Sequence, residues 1–190
     1  MNKKAQLQRL IDKYENDIDH YRSARYNETQ LRTDFLDQLF LILGWDITNA
    51  AGKPTNEREV LVEEGLKSRA GENTKKPDYT FRLFSERKFF LEAKKPSIDV
   101  STAIEPALQV RRYGFTAKLK ISVVSNFEYT AIYDCSNQVK ETDSVANSRI
   151  KLYHFTELVD NLRKLITLSV MKVFTLVSLI MNGQKLKVRY

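Results

Sequence analysis

The stretch KKPDYTFRLFSERKFFLEAKKP, residues 75–96, decides how this chain is read. Tyr79 to Phe84 and Lys88 to Lys94 are rich in aromatic and branched residues with a polar segment between them, which predicts a β-hairpin. With Ser85, Glu86 and Arg87 as the turn, Phe84 faces Lys88, Thr80 faces Glu92 and Asp78 faces Lys94. Opposed residues share a face of a sheet. The two-residue period of a strand then puts Phe90, Glu92 and Lys94 on one face and Phe89, Leu91 and Ala93 on the other. Two carboxylates and an ammonium converge at one end of the hairpin, and a one-residue slip would scatter them. Carboxylates held together repel unless a cation lies between them. Magnesium resolves that conflict, because it accepts one or two carboxylates, keeps several waters and takes phosphate oxygens as further ligands. Lys94 beside it would hold or deprotonate a water for attack at phosphorus. Alternating charges on a strand also suit a solvated face, so the pattern depends on its surroundings.

Outward from the hairpin, the apolar residues Leu7, Leu10, Ile11, Tyr14, Ile18 and Tyr21 recur at helical spacing and predict a helix from Ala5 to Tyr21. Asn27 with Gln30 reads as a capping box, followed by the stripe Leu31, Phe35, Leu39, Phe40, Leu43 that ends at Gly44. A helix over 28–43 follows. Residues 45–76 read mostly as loop, with a short strand over Arg58 to Val62. Ser101 to Tyr113 reads as a helix closed by Gly114, with Pro106 suited to a first turn or a break. Lys120 to Val124 and Thr130 to Tyr133 are expected as strands and Thr156 to Ile166 as a helix. The apolar tail Leu165 to Met181 is too short and interrupted for a span of ~20 apolar residues, so no membrane association is expected. We divide the chain into a domain over 1–166 and a tail over 167–190.

Thirty-one Lys and Arg against 24 Asp and Glu give a net charge of +7. That surplus favours polyanionic partners, nucleic acid first and a membrane surface second. One cysteine excludes an intrachain disulfide, and two histidines without Cys/His spacing exclude a structural zinc site of the usual kind. The charged amino terminus lacks the apolar core of a secretory signal, and the simple expectation is a cytoplasmic protein.

Pro77-Asp78, then Glu92-Ala93-Lys94, then Gln109 and Tyr113 spaced Q-x-x-x-Y resemble the PD-(D/E)xK nucleases. The blocks YNETQLRTDFLDQLFLILGWD (26–46) and ALQVRRYGFTAKLKISVVSNFEYTAIYDCS (107–136) resemble the amino-terminal nuclease domain of type IIG restriction-modification enzymes, and more distantly that of type I restriction subunits. The resemblance implies an α/β domain with a restriction-endonuclease-like core, a central mixed sheet flanked by helices. It also implies a magnesium-dependent DNA endonuclease, a type II (IIG-like) site-specific deoxyribonuclease domain, with manganese able to substitute. Asp78, Glu92 and the carbonyl of Ala93 would bind the metal, and Lys94 would handle the water. Glu28 matches an acidic residue on the family's early helix that assists the metal site, although a carboxylate at that position also suits the helix dipole. Gln109 and Tyr113, four apart on one helix face, would support the site or contact DNA; Arg111, Arg112, Lys118 and Lys120 are candidates for phosphate contacts, though most basic positions of this kind are plain surface and the sequence assigns none of them individually. The implied partners are double-stranded DNA and the methyltransferase and target-recognition domains of such enzymes, none of which fits in 190 residues; no Asn-Pro-Pro-Tyr motif is present. The other readings are a non-catalytic DNA-binding module of the same fold and a repair or recombination nuclease.

Overall fold

Leu7, Leu10, Ile11 and Tyr14 are the buried stripe of the first helix, α1 (Lys3–Asn16), in the computed structural model, which describes residues 2–65 and 76–170. The helix expected to reach Tyr21 breaks at Asp17, whose φ of −137° leaves the helical region, and resumes as the single turn α2 (Ile18–Tyr21). The capping box at Asn27 forms: Asn27 Oδ1 accepts the Gln30 N–H and Gln30 Oε1 accepts the Asn27 N–H, each at 2.9 Å. The helix it opens runs as α3 (Glu28–Leu31), a π-helical turn (Arg32–Leu36) and α4 (Asp37–Leu43). Gly44, at φ 109°, closes it in the left-handed conformation that glycine adopts most cheaply.

The strands β1 (Val60–Val62), β2 (Tyr79–Leu83), β3 (Glu86–Ala93), β4 (Ile121–Ser125), β5 (Tyr129–Asp134) and β6 (Arg149–His154) form one six-stranded sheet in chain order. Every neighbouring pair is antiparallel except β3 and β4, which are parallel and joined through the helix α5 (Ile104–Thr116). On one face Phe81, Phe89, Leu91, Ile121, Val123 and Ile132 pack against α1, α4 and the start of α6 (Leu162–Val170). On the other, Val124, Ala131 and Tyr133 pack with Ala107 and Val110 of α5, and Phe90 packs with Tyr113. The chain is therefore α/β, a mixed sheet flanked by helices.

The hairpin register differs from the expected one. The turn is the two-residue pair Phe84–Ser85, with φ values of 53° and 65° that fit the tight turns matching strand twist. Leu83 faces Glu86 and Arg82 faces Arg87, an odd offset that by itself would have turned Glu92 to the wrong face. A bulge between Phe81 and Arg82 restores the parity, so that Phe81 faces Phe89, Thr80 faces Phe90 and Tyr79 faces Leu91. Thr80 thus faces Phe90 rather than Glu92, and the Asp78–Lys94 pairing gives way to Asp78 and Glu92, each one residue beyond the Tyr79–Leu91 pair.

Other differences have local causes. Helix α5 passes through Gly114 to Thr116. A Cβ at 114 would lie 2.7 Å from Ser122 Oγ and closer still to Cys135 Sγ, so this glycine lets the helix lie on the sheet and does not end it. Strand β6 was not expected, although Arg149-Ile150-Lys151-Leu152 alternates polar and apolar residues before Tyr153. The helix expected over 156–166 is split into a 3₁₀ turn (Phe155–Glu157) and α6, which continues across the 166/167 boundary. The rest of the apolar tail lies outside the described residues. No helix among those described is long and apolar enough to cross a membrane.

Candidate active site

Asp78 stands where the chain enters β2 and Ala93 where it leaves β3, at one end of the sheet. Asp78 Oδ2 accepts the Ala93 N–H at 2.7 Å, which fixes one carboxylate oxygen and leaves Oδ1 with only a long, 3.5 Å contact from Arg32. Glu92, an even-numbered residue of β3, lies on the α5 face and is buried. Its Oε1 accepts from Lys94 Nζ and from Gln109 Nε2, both at 2.7 Å. Its Oε2 is buried with no protein partner. Gln109 also lies 2.9 Å from the Tyr113 hydroxyl, which the four-residue spacing on α5 makes possible. Lys94, just past β3, donates its N–H to Ser125 O and so continues the ladder to β4, and its Nζ lies 3.6 Å from Glu28 Oε2.

Burial, then the charge of Asp78, pushes the Glu92 carboxyl up to about 7 against the opposing hydrogen bond of Lys94. Burial works against the charge on Lys94, but the hydrogen bond and charge of Glu92, with Glu28 and Asp78 behind them, outweigh it and hold the amine above the usual lysine value. Lys94 is therefore a fixed cation in this state. Burial likewise raises the Tyr113 hydroxyl, and Glu92 adds to the effect.

An orphaned carboxylate oxygen in a buried site is costly unless something else binds it. Glu92 Oε2, Asp78 Oδ1 and the Ala93 carbonyl could offer a metal ion a hard, all-oxygen donor set. Among the described residues no group of three or more His, Cys, Asp and Glu side chains gathers into a cage. Two carboxylates and a carbonyl would suit an ion that keeps much of its water, as magnesium does, better than a structural zinc site built on Cys and His.

The structure brings together Asp78, Glu92, Ala93, Lys94, Glu28, Gln109 and Tyr113. Arg112 stands apart, half-buried on α5 and 3.9 Å from Glu105. Arg111 is no phosphate ligand: it is buried, and its guanidinium donates to Asp143 and Ser148 at 2.8 and 3.2 Å. Two residues at the site escape the sequence reading, Arg32 and Glu63. Arg32 was legible, since it follows Glu28 by one helical turn and so shares its face, the argument that pairs Gln109 with Tyr113. Glu63 was not, because only the pairing of β1 with β2 carries it to Asp78, whose carbonyl accepts the Glu63 N–H at 2.9 Å.

No family model matches the chain. Over 160 residues, 84% of its length, it is 94% identical to the type II restriction enzyme and methyltransferase RM.Eco57I of Escherichia coli; the match spans 16% of that protein. Among solved structures, a chain of the DrdV–DNA complex aligns with 90% of this chain and 14% of its own, at a TM-score of 0.47 and 12% identity. The chain thus resembles, over most of its length and at near-identity, one segment of a type II restriction enzyme and methyltransferase, in line with the restriction-modification kinship that its ordered sequence blocks imply.

Proposed function

We propose that this chain is the cleavage domain of a restriction-modification protein, a magnesium-dependent endonuclease that hydrolyses phosphodiesters of double-stranded DNA. The observation that carries the reading is Glu92: a buried carboxylate with one oxygen tied to Lys94 and Gln109 and the other orphaned beside Asp78. Near-identity to part of a restriction enzyme and methyltransferase supports the same conclusion. Asp78, Glu92 and the Ala93 carbonyl would hold the metal. When bound, the ion offsets charge developing on the phosphate and lowers the pKa of a water it carries. The Ala93 N–H holds Asp78 in place through Oδ2, which leaves Oδ1 for the ion. Gln109 orients Glu92 through Oε1, and Tyr113 orients Gln109. Lys94, kept charged by its acidic neighbours, points its ammonium at the same place and so aims the attacking water rather than acting as a free base at neutral pH. Glu28 balances Lys94 from the far side. Sequence recognition and methylation would belong to other domains of the same chain or to another subunit.

The test is nicking of supercoiled plasmid by Asp78→Asn, Glu92→Gln and Lys94→Ala beside the unaltered chain, with circular dichroism on each. We expect slow nicking in magnesium or manganese, none in calcium, and loss of nicking with an unchanged fold in each variant. Near-normal nicking by any of the three, or activity that survives chelation, would break the assignment.

A further inference from the structure

Arg32 is not a candidate metal ligand, yet the contacts of its guanidinium converge on one. Nε lies 3.4 Å from the Tyr79 hydroxyl and the guanidinium carbon sits 4.9 Å from the Tyr79 ring centroid, while that hydroxyl donates to Asp37 Oδ1 at 2.7 Å. This end of the group is anchored. The other end is shared: NH1 lies 3.1 Å from Glu63 Oε1 and 3.5 Å from Asp78 Oδ1. The Arg32 side chain is only 16% exposed, whereas that of Glu63 is 61% exposed. Glu63 is held beside Asp78 by its backbone, at a left-handed φ of 51° and with its N–H on the Asp78 carbonyl, which keeps the root of its side chain next to Asp78. Arg32 also begins the π-helical turn, a feature frequent at functional sites.

The cation Arg32 therefore stands against the oxygen of Asp78 that the metal reading needs. A divalent ion bound at Oδ1 and a guanidinium whose NH1 lies 3.5 Å from that same oxygen would repel each other, and in a partly buried site that repulsion is weakly screened. Glu63 offers the way out. We propose that Arg32 and Glu63 are an exchange pair that positions Asp78: without a cation, Arg32 divides NH1 between Asp78 and Glu63, and when a cation takes Asp78 Oδ1, Glu63 receives the guanidinium whole. Arg32 then steadies Asp78 while the site is empty, and Glu63 sets how readily it is released. The inference rests on the metal-site reading above.

The experiment is calorimetric titration of the full chain with manganese alone, on the unaltered protein, Glu63→Gln, Arg32→Ala, the double variant and Asp78→Asn. Glu63→Gln should weaken manganese about fivefold or more, because Arg32 loses its second acceptor. Arg32→Ala should bind at least as tightly as the unaltered chain, and adding Glu63→Gln to it should change nothing. No effect of Glu63→Gln, or an equal weakening in both backgrounds, overturns the exchange; equal weakening means Glu63 acts by its own charge. Glu63 is exposed, so its variant should fold. If circular dichroism shows Arg32→Ala unfolded, Arg32→Lys replaces it: a lysine cannot rest on the Tyr79 ring and span both carboxylates, so the Glu63→Gln effect should shrink there too, and an undiminished effect overturns the proposal. Manganese binding that survives Asp78→Asn overturns the metal reading itself, whatever the other variants do.

Discussion

At the scale of single residues the candidate site is a set of mismatched environments. Glu92 is a carboxylate where the protein would hold a neutral group more cheaply, and its proton count carries the cost. In the folded chain it keeps its proton up to about pH 7, against 4.5 for a free glutamate. Between those values the folded state binds the extra proton, so this group's contribution to stability is full below pH 4.5 and is lost as pH rises through 7. Glu92→Gln removes the titration. In chelator, urea denaturation should show the variant gaining on the unaltered chain between pH 5 and pH 8, by about 2 kcal/mol at the upper end; a pH-independent difference would mean that the carboxyl titrates as if exposed. The residues of the pair were legible in the sequence because a strand's period is two. Their exact partners were not. The assumed turn was misplaced and a bulge was unforeseen, and the pattern survived because the two departures cancel in parity. The place of Arg32 was legible one helical turn past Glu28, but its contacts were not, because Tyr79, Asp78 and Glu63 are distant from it in sequence.

At the scale of elements, most helices and strands announce themselves through caps and periodicity, and the departures arise where tertiary contact overrides a local signal. Gly114 is the clearest case. Locally it reads as a helix stop, but in the fold it is the point where α5 touches Ser122 and Cys135. Gly114→Ala should therefore destabilise the chain, although alanine is the better helix former. Overpacking of this kind costs about 1–3 kcal/mol, which thermal denaturation would resolve. An unchanged or raised midpoint would show that the helix can lift without penalty. Since α5 also carries Gln109, the same variant should slow plasmid nicking through a displaced Glu92 contact. Strand β6 shows the opposite failure: the alternation Arg149-Ile150-Lys151-Leu152 was a legible strand signal that went unread, and the pairing with β5 agrees with it.

At the scale of the molecule, a net charge of +7 accompanies the site proposed to act on phosphodiesters, and neither feature calls for base recognition. Reading base edges needs several convergent side chains on an element placed in a groove. By its own surface the chain should bind duplexes through phosphates alone, with dissociation constants on the order of 10⁻⁴ to 10⁻⁶ M that rise steeply with salt. Titrating unrelated duplexes at two salt concentrations checks this; affinity indifferent to salt, or a single preferred sequence, would place specificity within these residues. Everything proposed for the site depends on Asp78, Glu92 and Ala93 holding a metal ion together. The most direct measurement is anomalous diffraction from a manganese-soaked crystal of the chain. One strong peak is expected within bonding distance of Asp78 Oδ1, Glu92 Oε2 and the Ala93 carbonyl oxygen. A peak elsewhere, with those three oxygens left without metal at saturating manganese, would contradict a metal site there.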